Sequence, residues 1–139
     1  MIYGNYFLEN SSLSKYTDKP ITKEIKNKYK SQFKEIIHTD EKGSHIWFDG
    51  DKVVGFCYVK KDWEGNPHLS NIYVNKDYRS QGIGDQIVKF CIKKYDIKRL
   101  GVLKTNTHAI NLYKKNGFKI DKNYNKVLPD SKCYYMIRK

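Results

Sequence analysis

The sequence predicts a mixed α/β domain, in which one sheet carries helices on its faces. The segment from Leu69 to Ile92 changes from strand-forming residues, through a glycine-containing turn, to apolar residues at helical spacing. A second strand is predicted for Lys98–Lys104, after that helix, so it should lie parallel to the first through a right-handed crossover. An Asp49-Gly50 turn between two apolar runs predicts a hairpin. Parallel and antiparallel pairs together make the sheet mixed.

The first third of the chain is predicted to contribute a strand and a helix. Ile2 to Leu8 is a short aromatic-rich strand, and Asn10 to Pro20 is polar and turn-like. Thr22 is a helix N-cap, and Glu24 lies near the positive helix end. The helix then extends to about residue 38, because apolar side chains recur at helical spacing: Ile25, Tyr29, Phe33, Ile36 and Ile37.

The middle of the chain supplies the hairpin and the central strand. The hairpin strands are His45–Phe48 and Val53–Lys60, and Gly55 indicates a bulge or a close approach. In the loop that follows, Trp63 is either a lid over a site or a surface aromatic residue, and the second interpretation is favoured. The central strand, Leu69–Val74, comes next.

The last part of the chain repeats the strand and helix pattern. Asn106 or Thr107 caps a short amphipathic helix, and Gly117 ends it as a C′ residue. Strands at Phe118–Asp121 and Cys133–Ile137 are separated by a polar loop. No linker or repeat divides residues 1–139, so we expect one domain.

The charge of the chain favours acidic ligands. Its 139 residues carry a formal net charge of +12, which speeds the arrival of anions such as a polyphosphate cofactor or nucleic acid. The lysines are scattered rather than clustered, so a solvated surface is favoured over a nucleic-acid footprint.

Metal, disulfide and membrane roles are not indicated. The three cysteines (Cys57, Cys91, Cys133) fall inside predicted elements and are interpreted as buried thiols. They show no metal-ligand spacing with the histidines. No apolar run is long enough for a membrane span, and the N-terminus lacks the pattern of a signal peptide, so a cytoplasmic protein is expected.

The turn between the central strand and its helix is suited to bind a phosphate. Gly82 and Gly84 can adopt unusual backbone angles and admit a close anion, while the helix start and Arg79 add positive charge. A Rossmann turn would need a glycine where Ile87 stands, and no Gly-Lys-Ser/Thr triplet of a Walker loop occurs. Taken alone, a two-glycine turn is more often an ordinary capping turn than a phosphate site.

Two motifs in order resemble a known family. Arg79-x-x-Gly82-x-Gly84 after Ile72-Tyr73-Val74 resembles the acetyl-coenzyme A signature of the GNAT N-acetyltransferases, and the block from Asn106 to Phe118 resembles that family's downstream motif. The similarity is strongest over residues 69–120. It implies a GNAT fold, with a mixed sheet of about six to seven strands splayed in the middle and three to four flanking helices.

The resemblance also implies a cofactor site. Acetyl-CoA would pair with the strand and place its pyrophosphate on the turn, without a metal. The implied contacts are Ile72, Tyr73, Val74, Arg79, Ser80, Gln81, Gly82, Ile83, Gly84, Asp85, Asn106 and Tyr113.

Three residues are assigned to the chemistry. The Val74 N–H would stabilise the oxyanion, and Tyr113 would protonate the leaving thiolate. Similar proteins often carry a glutamate as general base on this strand, where this chain has Ser70 and Asn71, so the base is open. His68 is the candidate assigned to this role, with Asp49, Glu64, a water chain or a substrate that arrives partly deprotonated as alternatives.

The implied function is direct transfer of an acetyl group from acetyl-CoA to a primary amine in a ternary complex. Two alternatives remain open: a toxin-like enzyme that acetylates aminoacyl-tRNA, and a CoA-binding module without turnover. The acceptor amine is not specified by the sequence, and a homodimer is also left open.

Overall fold

The computed structural model describes residues 12–127 and 130–139. The predicted strand at Ile2–Leu8 lies outside these residues. Seven strands are present in the described part: β1 (Thr17–Lys19), β2 (Ser44–Asp49), β3 (Lys52–Lys61), β4 (Pro67–Val74), β5 (Arg99–Leu103), β6 (Lys119–Ile120) and β7 (Cys133–Ile137). Its α-helices are α1 (Lys23–Tyr29), α2 (Ile83–Tyr95), α3 (Thr107–Lys115) and α4 (Lys122–Val127).

The strands form one sheet in the order β1-β2-β3-β4-β5-β7-β6. Neighbouring strands are antiparallel except β4 and β5, which are parallel and are joined through α2. The predicted mixed sheet, its hairpin and its parallel crossover are therefore confirmed. A sheet of this kind can open at its parallel pair, because each member is also held by an antiparallel neighbour on its other side.

Two apolar clusters pack against the sheet. One combines the buried residues of α2 and α3, such as Ile87 and Ile110, with Val54, Leu100 and other strand residues. The other lies around α1 and combines Tyr29 with Phe56 and other residues of β2 and β3. The apolar spacing predicted for α2 is confirmed, since its buried residues are Ile83, Ile87, Val88, Phe90 and Cys91.

The helix predicted to extend to about residue 38 ends earlier. Thr22 caps it as expected, accepting a hydrogen bond from the Ile25 N–H, but α1 stops at Tyr29 and a separate 3-10 helix covers Lys34–His38. Phe33 between them is extended, with φ −131° and ψ 93°. Its ring thereby packs 5.0 Å from that of Tyr73 on β4, so tertiary contact overrides the helical pattern.

Two polar segments predicted as turn or loop are ordered elements. Within residues 10–20, a 3-10 helix covers Ser12–Lys15, and β1 then pairs with β2 although its three residues are all exposed. An edge strand without apolar alternation gives no sequence signal. The loop before the last strand contains α4, where the Asp121 carboxylate accepts a hydrogen bond from the Tyr124 N–H at 3.1 Å.

The cysteines are free thiols. Cys57 and Cys91 are buried as predicted, whereas Cys133 is half-buried. Between α3 and β6, Gly117 has φ +92°, which confirms its role at the helix end. Trp63 is 91% exposed, so it is the surface residue that the sequence favoured.

Candidate functional site

A cleft opens between β4 and β5 on the side of the sheet where both strands end. The two strands pair only at His68 with Arg99 and at Leu69 with Leu100. Beyond this point β4 carries an extra residue, Ser70, opposite the step from Tyr58 to Val59 of β3. A bulge bends its strand, so β4 turns away from β5 directly after the last paired residue. The cleft between them has a volume of about 810 Å³.

Two backbone amides of β4 point into the cleft. The Asn75 N–H donates to the Val54 carbonyl of β3 at 2.8 Å, and Val74 is opposite Gly55. Since alternate residues of an antiparallel strand bond to opposite sides, Ile72 and Val74 direct their N–H and C=O groups away from β3. The ladder to β5 has already ended there. The sequence predicts backbone contacts from Ile72, Tyr73 and Val74, with Val74 as the oxyanion donor. The geometry instead directs the amides of Ile72 and Val74 to the cleft and that of Tyr73 to β3.

The turn after β4 presents the start of α2 to the same cleft. Gly82 is the N-cap of α2 in the left-handed conformation, with φ +78°, and Ser80 also has a positive φ of 66°. Ser80, Gly82, Ile83 and Gly84 all line the cleft. The first N–H groups of a helix have no intrahelical partner, so this turn can bind an anion through its backbone.

The side chain of Arg79 lies on the end of β4. Its Nε donates to the Val74 carbonyl oxygen at 2.9 Å, and its guanidinium carbon lies 5.8 Å from the centre of the Tyr73 ring. The sequence predicts that this side chain places a charge next to a phosphate. In the structure its hydrogen bond and its ring contact are with the strand, while the residue also lines the cleft.

Asp85 lies at the start of α2 with its carboxylate already engaged. Its Oδ2 accepts a hydrogen bond from the Lys89 ammonium at 2.6 Å. Burial raises the pKa of Asp85, but the hydrogen bonds from Lys89 and Asn116 outweigh burial and hold the pKa below its ordinary value. The carboxylate is therefore a fixed part of the cleft wall, and the residue offers a ligand its backbone N–H.

The opposite wall of the cleft is α3, which carries Tyr113. Asn106 caps the helix by accepting a hydrogen bond from the Ala109 N–H at 3.2 Å, and both residues line the cleft. Tyr113 also lines it, although the residue is only 5% exposed. Burial, with a smaller effect of Cys91, raises the pKa of Tyr113 to about 12. The phenol is thus protonated throughout the neutral range and can donate a proton or a hydrogen bond.

Some predicted site residues are not brought into the cleft. Gln81 is exposed in the turn and His68 lies at the beginning of β4, and neither lines the cleft. The pKa of His68 is lowered, first by burial and then by the charge of Lys60. The two alternative bases lie elsewhere: the Asp49 carboxylate accepts from the Tyr78 hydroxyl at 2.8 Å, and the Glu64 carboxylate from Arg99 at 2.8 Å.

Further residues line the cleft that the sequence interpretation did not include. His108, Leu112 and Lys115 follow one another at spacings of four and three along α3, so helical periodicity could have identified them. The others belong to the separating strands and to α3, and only the geometry of the gap reveals them: Leu69, Ser70, Asn71, Gly101, Val102, Leu103 and Ala109.

Residues 12–127 and 130–139 contain neither a metal-binding cluster nor a membrane-spanning helix. No group of three or more His, Cys, Asp or Glu side chains is arranged there to hold a metal ion. The helices of this part of the chain are too short or too polar to cross a bilayer.

Comparisons with known proteins converge on one family. Residues 8–118 match the Acetyltransferase (GNAT) family. A peptidyl-lysine N-acetyltransferase of Salmonella typhimurium is 27% identical over 99 residues, which are 69% of this chain and 65% of the relative. A thialysine N-epsilon-acetyltransferase of Mus musculus is 40% identical over 74 residues, 47% of this chain and 44% of the relative. The chain thus spans about half to two thirds of the length of these relatives.

Solved structures share the fold. The ribosomal-protein-S18-alanine N-acetyltransferase of Escherichia coli superposes with a TM-score of 0.67 at 17% identity, covering 88% of this chain and 92% of that chain. The PaiA N-acetyltransferase of Thermoplasma acidophilum, in complex with coenzyme A, gives a TM-score of 0.56 at 24% identity, covering 83% and 74% of the two chains.

Proposed function

The chain belongs to the GNAT acetyltransferase family, and on that basis we propose that it transfers the acetyl group of acetyl-CoA to a primary amine. The observation that carries the proposal is the coincidence of three features in one cleft. Unpaired strand amides, a helix start with left-handed residues before it and a buried protonated tyrosine all line it. Each feature alone is common, but their combination meets the needs of thioester aminolysis.

The strand edge is suited to hold the pantetheine arm. Ile72 and Val74 present N–H and C=O groups to the gap, as an edge strand does for an added strand. The turn from Ser80 to Gly84 would hold the pyrophosphate through backbone N–H groups. Asn106 and Tyr113 on α3 would contact the far side of the arm. The thioester would then lie between β4 and Tyr113.

The chemistry is divided between backbone and side chain. Acetyl-CoA supplies an activated thioester that a neutral amine can attack. One of the two cleft-facing amides, Ile72 or Val74, stabilises the charge that develops on the carbonyl oxygen, and the other holds the arm. As the C–S bond breaks, the Tyr113 phenol donates its proton to the sulfur, and the phenol is then reprotonated from solvent. Cys57, Cys91 and Cys133 do not line the cleft, which supports direct transfer without an acetyl-cysteine intermediate.

The proton released by the amine is assigned to solvent. The candidate bases His68, Asp49 and Glu64 do not line the cleft, whereas the cleft is open to water. A water molecule can therefore accept the proton, or the acceptor can bind in its neutral form. The chain's contribution to this step is to orient the amine rather than to deprotonate it.

The acceptor is proposed as a primary amine from the names of the relatives, which act on peptidyl-lysine and thialysine. The formal net charge of +12 favours anionic ligands. It speeds the arrival of the anionic cofactor, and for the same reason aminoacyl-tRNA is a second acceptor class to be tested.

The experiment has two stages. Isothermal calorimetry with CoA tests the site, and a thiol-release assay with acetyl-CoA then compares a panel of amines: lysine, a lysine peptide, spermine and an aminoacyl-tRNA. Binding of CoA with amine-dependent thiol release is expected. Binding without release for every amine would leave a CoA-binding module, and absence of binding by folded protein would overturn the proposal.

A further inference from the structure

We infer that Arg79 is a positioning residue that fixes the end of β4. Its position before Gly82 and Gly84 predicts a phosphate ligand, and the inference is that its side chain does not have that role. The inference rests on the proposed function. It assigns the Arg79 side chain to the Val74 carbonyl, which forms part of the edge along which the pantetheine arm would lie.

The Val74 carbonyl needs a partner because of the splay in the sheet. It belongs to the same peptide group as the Asn75 N–H, which donates to Val54 of β3 at 2.8 Å. The carbonyl points in the opposite direction, into the gap, where β5 has already separated. In a closed sheet β5 would donate to it. Here the Arg79 Nε takes that place at 2.9 Å.

The segment between Val74 and Arg79 places Arg79 next to the end of β4. Asn75 accepts a hydrogen bond from the Asp77 N–H at 3.2 Å and donates its side-chain amide to the Val53 carbonyl at 2.8 Å. These contacts hold a single 3-10 turn, Lys76–Tyr78, against the hairpin. The turn reverses the chain, so Arg79 lies beside the strand that ended five residues earlier.

A second contact sets the direction of the guanidinium group. It lies 5.8 Å from the centre of the Tyr73 ring, and that ring is packed 5.3 Å from Phe56 and 5.0 Å from Phe33. Because Tyr73 is held by the cluster around α1, the cation is held with it. The side chain therefore has two contacts: the Val74 carbonyl at the edge of the cleft, and the Tyr73 ring on the face of the sheet that packs against α1.

This arrangement predicts an effect on turnover rather than on phosphate affinity. A carbonyl oxygen has two lone pairs, so Val74 can accept from Arg79 and from an amide of the arm together. Without Arg79 the end of β4 would lose its only lateral hydrogen bond at that carbonyl among the described residues, and the amides of Ile72 and Val74 would be less well oriented. Small misplacements of this kind reduce the rate of the chemical step.

Two substitutions separate hydrogen bonding from charge. In Arg79→Gln, the side-chain Nε2 occupies the same position along the chain as the arginine Nε, so the donor is kept and the charge is lost. In Arg79→Met, a side chain of similar length has neither. A positioning role predicts that Arg79→Gln keeps kcat within about threefold of wild type, whereas Arg79→Met lowers it roughly tenfold. The Kd for CoA should change by less than about threefold in both variants and equally.

The measurements are steady-state kinetics, calorimetry with CoA, and the ¹³C′ chemical shift of Val74 in the protein without ligand. The shift should move in Arg79→Met and stay close to wild type in Arg79→Gln. Equal losses of CoA affinity of tenfold or more in both variants, larger at low salt, would assign the charge to the phosphate and overturn the inference, as would an unchanged Val74 shift in Arg79→Met. If wild type fails to bind CoA, the proposed function fails, but the Val74 shift still decides the role of Arg79.

Discussion

The Asn116 side chain donates to the Asp85 carboxylate at 2.9 Å and thereby joins the two helices that form the walls of the cleft. Asp85 lies in the first turn of α2, directly after the proposed phosphate turn, and Asn116 is the C-cap of α3, three residues after Tyr113. Lys89 completes the cluster, since its ammonium group donates to Asp85 at 2.6 Å and to the Asn116 side chain at 3.0 Å. The distance between the phosphate turn and the tyrosine is thus set by side chains that need not touch the cofactor.

The first prediction is that Asp85→Ala destabilises the fold. The substitution leaves Lys89 and Asn116 without their shared acceptor in a partly buried position, where the Asp85 side chain is 21% exposed. We expect the free energy of unfolding at pH 7 to fall by about 1–3 kcal/mol, measured by urea denaturation. Asp51→Ala, at an exposed position of the hairpin turn, is the control and should change it little.

The sign of the pH dependence provides a further check on Asp85. Its pKa is lowered in the folded state, so its contribution to stability is present above the unfolded pKa of about 3.9 and is lost as the pH falls through the folded-state value. The difference between wild type and Asp85→Ala should therefore shrink at pH 3. A difference that is equal at pH 7 and pH 3 would show that packing, not ionisation, is responsible.

The second prediction is that Tyr113→Phe lowers turnover and spares cofactor binding. The ring would keep its packing at 6.1 Å from Phe118, while the proton donor is lost. We expect kcat to fall roughly 10²-fold or more, with the Kd for CoA within about threefold of wild type. Tyr124→Phe, on α4 and 42% exposed, is the matched control. Unchanged kcat in Tyr113→Phe would remove the acid role from this residue.

Much of the fold could be predicted from the sequence because its strongest signals are local. The Asp49-Gly50 turn, the Thr22 cap and the apolar spacing of α2 each depend on neighbouring residues, and the structure contains all three. The end of α1 could not be predicted in this way. It depends on Phe33 reaching a ring on β4, a contact between residues that are distant in the sequence.

The candidate site divides along the same line. The turn around Gly82 was visible as a motif, since a positive φ there is a property of the local chain. The cleft itself arises because a bulge at Ser70 separates β4 from β5. The residue pattern of neither strand predicts this bulge. The Arg79 contact with Val74 follows from that separation. The motif therefore predicts a phosphate as the partner of Arg79, whereas in the structure its hydrogen-bond partner is the strand.

The third prediction contrasts the two glycines of the turn. Gly82 has φ +78°, and a Cβ there would meet little except the end of Gln86 at 3.9 Å, so Gly82→Val should destabilise by backbone strain and weaken CoA binding. A Cβ on Gly84 would make ordinary contacts with Leu112 at 3.6 Å and Val74 at 3.7 Å. Gly84→Ala should therefore fold normally, gain up to about 1 kcal/mol from reduced chain entropy, and lose less CoA affinity than Gly82→Val.

Thermal denaturation and calorimetry with CoA check the pair. Gly82→Asn is the control for strain, because asparagine tolerates the left-handed conformation better than valine. It should recover most of the stability that Gly82→Val loses. Equal loss of stability in Gly82→Asn and Gly82→Val would show that φ is not the limiting factor at this position.

The fourth prediction is that His68→Gln leaves catalysis nearly intact. His68 lies where β4 pairs with β5, before the strands separate, and it does not line the cleft. We expect kcat/KM to stay within about threefold of wild type at pH 7, well short of the effect of losing a general base. A fall of a hundredfold, with the pH–rate profile losing its acidic limb, would instead identify His68 as the general base, as the sequence predicts.

The fifth prediction concerns the pH dependence of kcat/KM. A free phenol loses its proton near pH 10, whereas the pKa of Tyr113 is raised to about 12 by burial. The protonated form, which is the donor, therefore persists to higher pH, and the rate should not decline between pH 8 and about 10.5. The rate should instead rise with pH as the acceptor amine loses its own proton to solvent.

Two acceptors whose amines differ in pKa by about two units should shift this rising limb by the same amount, after subtraction of thioester hydrolysis without enzyme. A limb fixed at one pH for both acceptors would show that a group of the protein, and not the amine, controls deprotonation.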